Sequence, residues 1–135
     1  HPRTRNRIKS RNIEFDPLIK NIAPLGFFDY VNLQLNSFIV LSDSGTISEE
    51  SSILGFRAVS IRTSTERPEA IDSGSIVLGG ITPSQVINSI EISLSFPIED
   101  AELPVEYCIN NTAERVVKII QGYTQVINDV IWNKN

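Results

Sequence analysis

The sequence has little of the residues on which several classes of protein depend. It contains one cysteine and one histidine among 135 residues. A single cysteine excludes an internal disulfide and a zinc site with several thiolates, and it fits a reducing compartment, so we expect a cytoplasmic protein. A single histidine excludes a histidine-rich metal cluster and leaves little room for a histidine-based catalytic triad. We therefore expect no metal site.

Long apolar runs, a signal peptide and methionine are also missing. The longest apolar runs have only a few residues, too few for a membrane-spanning helix, so we expect no membrane partner. The absence of methionine leads us to expect that the sequence is not a complete reading frame. What is present is ordinary: hydrophobic residues make up 41% and charged residues 21% of the chain, which is typical of one globular domain.

Basic and acidic residues are unevenly distributed along the chain. Residues 1–20 contain six basic and two acidic residues, which leaves six basic and fourteen acidic residues in the remainder. A basic N-terminal segment is one feature of nucleic-acid binding, but an acidic remainder opposes such an interface. We interpret the segment as a solvated basic helix and expect no nucleic-acid partner.

Short apolar segments alternate with stretches of helical periodicity. Apolar runs typical of short strands occupy residues 18–23, 38–41, 58–61 and 75–78. The run 38–41 is typical of a strand buried on both faces of a sheet. Helices are predicted over residues 3–13, 27–37, 46–54, 82–93 and about 111–133, with a turn after Pro68 and a surface loop over 96–104. This alternation indicates an α/β fold with a parallel sheet and a long C-terminal helix.

Two segments have the pattern of a helix capping box, in which the first residue and the residue three positions later cap each other. One is Thr46 with Glu49, and the other is Thr82 with Gln85, where Pro83 occupies the first helical position. Gly55 follows the last apolar residues of the first of these helices, where a C-terminal stop is expected.

The loops that follow two predicted strands carry the candidate ligand-binding residues. Ligands of parallel sheets bind at the carboxyl ends of strands, which directs attention to residues 42–46 and 62–69. The sequence Ser-Asp-Ser-Gly-Thr at 42–46 leads into a helix, where free amides and the helix dipole favour a phosphate or diphosphate. Ser44 and Thr46 add hydroxyl donors, and Gly45 permits close approach of an anion. The alternative is that Thr46 only caps the helix.

Two charged residues of these loops, Glu50 and Arg67, could each have a ligand-binding role or a purely structural one. Glu50 could accept hydrogen bonds from ribose hydroxyls, or, like Glu49, stabilise the positive end of the helix dipole. Arg67 could bind a diphosphate with two parallel hydrogen bonds, or pair with Glu66 or Glu69 in a solvated loop.

Residues 42–50, followed by Arg62 and by residues 65–69, resemble the C-terminal domain of non-hydrolysing UDP-N-acetylglucosamine 2-epimerases. His1-Pro2 resembles the His-Pro step of that family, and Phe28-Asp29-Tyr30 resembles its aromatic-bearing helix start. The resemblance extends over nearly the whole chain and is dense between residues 27 and 80. It implies two Rossmann-like domains, as in glycosyltransferase-B architectures, with a UDP-sugar between them. Residues 1–135 would then be the C-terminal UDP-binding domain, incomplete at its N-terminus.

The resemblance also implies roles for individual residues. Ser44 and Gly45 would hold the diphosphate, beside Thr46, Glu50 would bind the ribose hydroxyls, and Tyr30 would lie near the uracil. Arg67 and His1 would face the phosphates, which makes His1 the one candidate catalytic residue of the chain. The acid and base carboxylates of the family lie mostly in its N-terminal domain, so we expect this chain to bind UDP without turnover.

The activity implied is inversion at C2 of a UDP-2-acetamido sugar. Similar enzymes are isomerases that eliminate UDP from C1 and add it back to a 2-acetamidoglucal, with no nicotinamide or other cofactor and no metal. Thr46 replaces a frequent second glycine and Ser48 a glutamine, which favours the branch forming UDP-N-acetyl-L-fucosamine for capsule or O-antigen. The alternatives are a UDP-sugar glycosyltransferase domain and an inactive remnant. An open strand edge at 38–41 and the long helix lead us to expect a homodimer.

Overall fold

The computed structural model describes residues 2–98 and 101–133, so His1 lies outside the described residues. The described chain divides into two compact units, one that ends at Ser37 and one that begins at Phe38.

The first unit contains two helices and no strand within its described residues. Helix α1 spans Pro2–Ser10 and helix α2 spans Phe27–Leu35. Both helices were predicted, and α1 is solvated as expected, but it ends before residue 13 because Asn12 takes a left-handed φ of 48°.

The predicted strand over residues 18–23 is wrong, because its start is a turn. The amide of Leu18 donates to the Asp16 carboxylate at 2.8 Å, and the amide of Ile19 donates to the Asp16 carbonyl at 2.8 Å. These local bonds use amide groups that a strand would offer to a neighbour.

The second unit is an α/β unit with a parallel three-stranded sheet. Its strands are β1 (Val40–Ser42), β2 (Ala58–Ser60) and β3 (Ile76–Leu78), in the order β1-β2-β3. Val40 pairs with Ala58, and Ala58 pairs with Ile76. The helices are α3 (Ile47–Leu54), α4 (Pro68–Asp72), α5 (Pro83–Ser95) and α6 (Thr112–Val126), and a 3₁₀ turn spans Val105–Cys108. A π-helical turn, Ile127–Ile131, extends α6. The predicted fold class is confirmed.

The core of the second unit lies around β2. Ala58, Val59 and Ser60 are 1%, 0% and 6% exposed. On one face, Ala58 packs with Ile47 of α3 and with Ala70 of α4. Val59 points to the opposite face, because successive side chains of a strand alternate. Helix α5 contacts β2 and β3 there, so the sheet has helices on both faces.

Strand β1 differs from its prediction in both bounds and burial. It begins at Val40 rather than at Phe38, whose side chain is 75% exposed, and Leu41 is 43% exposed. The prediction of burial on both faces is wrong for β1 because it is an end strand of the sheet. The strand with that burial is β2.

Local signals at the helix ends are mostly confirmed. Gly55 ends α3 with a left-handed φ of 71°. Thr82 and Gln85 form the predicted capping box of α5. Of the predicted loop 96–104, residues 99 and 100 lie outside the described residues, and the described remainder has no long helix or strand.

Candidate functional site

The two predicted ligand loops lie side by side. Because β1 and β2 are parallel neighbours, their carboxyl ends meet at one edge of the sheet. The amide of Ile61 donates to the carbonyl of Ser42 at 2.8 Å, which ties the start of the second loop to the end of β1. Residues 43–46 and 61–67 therefore face the same place, at the N-terminus of α3.

Gly45 and Arg67 come from different loops and lie close together. A Cβ atom added to Gly45 would lie 2.9 Å from Nη1 and 3.4 Å from Cζ of Arg67. Gly45 is not among the described glycines with positive φ, so it matters here for the space that it leaves to the guanidinium rather than for its backbone conformation. The predicted diphosphate loop and the predicted arginine are thus brought together.

Arg67 is anchored by Glu49 of α3. Its Nε donates to Glu49 Oε1, and the two side chains are 30% and 33% exposed. This hydrogen bond and the Glu49 charge raise the pKa of Arg67 above its ordinary value, so the guanidinium stays charged. Glu66 Oε2 lies 3.9 Å from Arg67 Nη1. The main partner of Arg67 is therefore neither Glu66 nor Glu69.

The predicted capping box of Thr46 and Glu49 is wrong. Thr46 already has helical backbone angles, φ −68° and ψ −11°, and its side chain makes no capping bond. A capping hydroxyl reaches the third helical amide from an extended residue, which Thr46 is not.

The Thr46 hydroxyl instead joins a small polar network. It donates to Glu50 Oε1 at 2.8 Å and lies 2.9 Å from Ser44 Oγ. The structure thus gathers Ser44, Thr46 and Glu50 at the first turn of α3, where the leading amides have no acceptor within the helix. These hydroxyls and amides are suited to bind an anion.

A second ion pair lies within the loop after β2. Arg62 donates from Nη1 and Nη2 to both carboxylate oxygens of Glu66, at 2.9 and 3.0 Å. The hydrogen bonds from Arg62 hold the pKa of Glu66 below its ordinary value. This pair is more exposed than the Arg67 pair and lies within one loop. Two arginines five positions apart in sequence thus have different environments.

Tyr107 is a neighbour of the site that the sequence did not indicate. Its hydroxyl donates to Glu69 Oε1 at 2.9 Å, and its ring packs against the core. Burial first, and the bond to Glu69 second, raise the pKa of Tyr107 above its ordinary value. The Glu49 charge raises that pKa further and the Arg67 charge lowers it, so the phenol lies within electrostatic reach of both. No sequence signal identified a tyrosine after a loop with two prolines.

Two of the expected site residues lie outside the second unit. His1 is not among the described residues. Tyr30 lies on α2 in the first unit, where it is 40% exposed and lines a groove of about 340 Å³ with Leu33 and Ile22. The roles of both residues stay predictions.

Metal-binding clusters and membrane-spanning helices are absent from the described part of the chain. Within residues 2–98 and 101–133, no three His, Cys, Asp or Glu side chains are grouped so that they could hold a metal ion. No described helix is long and apolar enough to cross a membrane.

Comparison with known proteins identifies the family. The family model described as UDP-N-acetylglucosamine 2-epimerase matches residues 1–121. The chain belongs to this family. The UDP-N-acetylglucosamine 2-epimerase of Methanocaldococcus jannaschii is 34% identical over 125 residues, which cover 89% of this chain and 33% of that protein. The resemblance noted in the sequence is thereby confirmed.

Solved structures of the family match the fold as well as the sequence. The UDP-N-acetylglucosamine 2-epimerase of Rickettsia bellii superposes with a TM-score of 0.77 and 32% identity, over 99% of this chain and 38% of that one. The Methanocaldococcus jannaschii enzyme in complex with UDP-GlcNAc and UDP superposes with a TM-score of 0.75 and 31% identity. The match covers 90% of this chain and 34% of that one. The chain therefore spans about a third of the length of its relatives.

Proposed function

We propose that this chain is the UDP-binding portion of a UDP-N-acetylglucosamine 2-epimerase, an isomerase that inverts C2 of a UDP-2-acetamido sugar. The observation that carries the proposal is the position of the Arg67 guanidinium beside Gly45, at the N-terminus of α3. A cation and a helix N-terminus that share one space are suited to a diphosphate. One related structure is a complex with UDP-GlcNAc and UDP.

The proposed roles follow from the contacts. The amides and hydroxyls at Ser44, Gly45 and Thr46 bind the diphosphate, and Arg67 neutralises its charge. Glu50 accepts from Thr46 through Oε1, and a carboxylate at this position can also accept from ribose hydroxyls.

Further roles rest on the sequence resemblance alone. Tyr30 lies near the uracil and His1 faces the phosphates. The identity of the sugar that is epimerised, including the UDP-N-acetyl-L-fucosamine branch for capsule or O-antigen, is a proposal from Thr46 and Ser48. Residues 1–135 form the UDP-binding domain.

Arg67 is the group of this site that contributes most to the proposed reaction. When UDP leaves C1, negative charge grows on the oxygen of the β-phosphate. A guanidinium that stays charged and is held in place stabilises that charge in the transition state. Since the chain spans about a third of its relatives, we expect it to bind UDP without epimerising a UDP-sugar.

Calorimetric titration of UDP against the 135-residue chain tests this function. Arg67→Ala removes a charge-assisted contact of about 1.5–3 kcal/mol, so UDP affinity falls roughly 10- to 100-fold. Glu50→Ala weakens binding in the same direction. Arg62→Ala is the matched control: it removes the same charge from the same loop, and affinity changes less than about threefold.

Two results contradict the proposal. One is a wild-type chain that does not bind UDP at millimolar concentration while circular dichroism shows that it is folded. The other is equal loss of affinity in Arg62→Ala and Arg67→Ala, which would reduce the Arg67 contact to general electrostatics. Measurable epimerisation of UDP-N-acetylglucosamine by the isolated chain would contradict the expectation that it only binds.

We also propose that the chain forms a homodimer in the cytoplasm. Support comes from the end strand β1, with Phe38 75% and Leu41 43% exposed, and from the exposed apolar side chains of α6. Pairing across such an edge would satisfy its backbone groups. Sedimentation at tens of micromolar is expected to give twice the monomer mass of 15.0 kDa, and a clean monomer contradicts the proposal.

A further inference from the structure

The two carboxylate oxygens of Glu49 have different environments. Oε1 accepts from Arg67 Nε, whereas Oε2 is buried and has no hydrogen-bond partner among the described residues. A carboxylate oxygen without a partner costs free energy, so the position is occupied for a reason other than the stability of α3 alone. A glutamate in the first turn would be equally favourable to the helix if it pointed into solvent.

The pairing determines which part of the Arg67 guanidinium remains available. Nε is occupied by Glu49, and no hydrogen bond joins Nη1 or Nη2 to another group within residues 2–98 and 101–133. Both Nη atoms face Gly45, within 2.9 and 3.7 Å of where a Cβ would be. The parallel donors of Nη1 and Nη2 suit two oxygens of a phosphate.

Arg67 is also fixed from its backbone side. Its amide donates to Thr65 Oγ1 at 3.1 Å, and Pro68 follows at the first position of α4. Its side chain nevertheless extends to Glu49 of α3, which lies 18 residues earlier in the sequence. A long side chain loses up to about 2 kcal/mol of rotational freedom when it is ordered, and an arginine ordered before the ligand arrives loses less on binding.

We propose that Glu49 is a positioning residue, which holds the Arg67 guanidinium so that its two Nη groups face a diphosphate at Gly45. The inference rests on the proposed UDP-binding function, which it extends to a residue of α3. Glu49 itself does not touch the nucleotide.

The proposal predicts a change in UDP affinity opposite to the one that charge repulsion alone would cause. A carboxylate near a diphosphate repels it, so a Glu49 that did not position Arg67 would weaken UDP binding and Glu49→Gln would tighten it. If positioning dominates, Glu49→Gln lowers UDP affinity about tenfold, because the free-energy cost of ordering the Arg67 side chain is then part of UDP binding.

Titration of UDP and of uridine against the full chain separates these effects. Uridine lacks the diphosphate, so Glu49→Gln is expected to change uridine affinity less than twofold. In a double-mutant cycle, Glu49→Gln added to Arg67→Ala should cost nothing further, since the group that it positions is gone. Glu66→Gln is the matched control, because it removes the same charge at a carboxylate 3.9 Å from Arg67 Nη1 without breaking the Nε bond. Its UDP affinity should stay within twofold of the wild-type value.

Each result has one meaning. Tighter or unchanged UDP binding by Glu49→Gln, or additive losses in the cycle, overturns the inference while Arg67→Ala still supports the proposed function. A wild-type chain without UDP affinity overturns the function itself. If Glu49→Gln does not fold, Glu49→Asp replaces it: the shorter carboxylate keeps the charge, and a selective loss of UDP affinity without loss of uridine affinity is expected. Equal losses for both ligands overturn the positioning role.

Discussion

The sheet region around β2 and the C-terminal helix α6 both contain many apolar residues, yet they differ in burial. Around β2, the side chains of Ile47, Val59 and Ala70 are at most 1% exposed. In α6, all fifteen residues are exposed, including Ile120 at 60% and Tyr123 at 61%.

The comparison shows that periodicity and burial are separate properties. The apolar residues of α6 recur at helical spacing and correctly predicted a helix, but periodicity does not say what covers the apolar side. The short strands have weaker local signals and owe their burial to neighbours distant in sequence. The same substitution made in both regions should therefore have unequal effects.

The largest contrast is expected for isoleucine. Ile47→Ala removes a side chain 1% exposed at the start of α3 and should lower the free energy of unfolding by about 3 kcal/mol. Ile120→Ala, in α6, should change it by less than about 0.5 kcal/mol. Urea unfolding followed by circular dichroism measures both, at a protein concentration at which sedimentation gives the monomer. A cost above about 1 kcal/mol at Ile120 in the monomer would break the comparison, because it would mean that another part of the same chain covers α6.

A smaller contrast is expected for glycine. Gly45→Ala places a methyl group against the Arg67 guanidinium and should weaken UDP binding about tenfold by displacing Nη1. Gly122→Ala adds the same methyl group to α6, where nothing lies within 4 Å, and should stabilise the helix by up to about 1 kcal/mol without changing UDP affinity. Calorimetry and thermal unfolding read the two effects, and unchanged UDP affinity in Gly45→Ala would refute the proposed close approach.

The smallest contrast is expected for tyrosine. Tyr107→Phe removes the bond to Glu69 and should cost about 1 kcal/mol at neutral pH. Tyr123→Phe, in α6, should cost less than about 0.5 kcal/mol.

The tyrosine pair also predicts a pH dependence. The pKa of Tyr107 is raised in the folded chain by burial and by Glu69, so the unfolded chain releases this proton first as pH rises. Stability contributed by the protonated phenol is complete below about pH 10 and is lost above it. The alkaline decline in unfolding free energy should be shallower in Tyr107→Phe than in Tyr123→Phe. Equal declines would show that Tyr107 titrates normally.

Sequence reasoning succeeded where structure depends on neighbouring residues. Gly55 and the Thr82–Gln85 box were identified because a left-handed turn and a reciprocal cap have local requirements. The same reasoning failed at Thr46, where the chain enters α3 already helical, and at residues 18–23, where Asp16 binds the amides of a turn. In both places a different local conformation was adopted instead of the predicted one.

The site was partly predictable for a related reason. Ser44, Gly45 and Arg67 were expected to lie near one another because parallel strands place their following loops at one edge. Glu49 was assigned to the helix end, and its bond to Arg67, 18 residues away, was not anticipated. Tyr107 was missed because its partner Glu69 lies 38 residues earlier.

The sequence by itself determined most of the element types, the loops that carry the candidate ligand-binding residues and membership of the UDP-N-acetylglucosamine 2-epimerase family. These depend on residues within a few positions of one another, or on motifs that can be compared directly. The tertiary structure decided which strand is buried and which carboxylate holds Arg67. Both outcomes depend on which of several chemically similar residues the packed sheet brings into contact. Spacing along the sequence does not give the distance between residues in space.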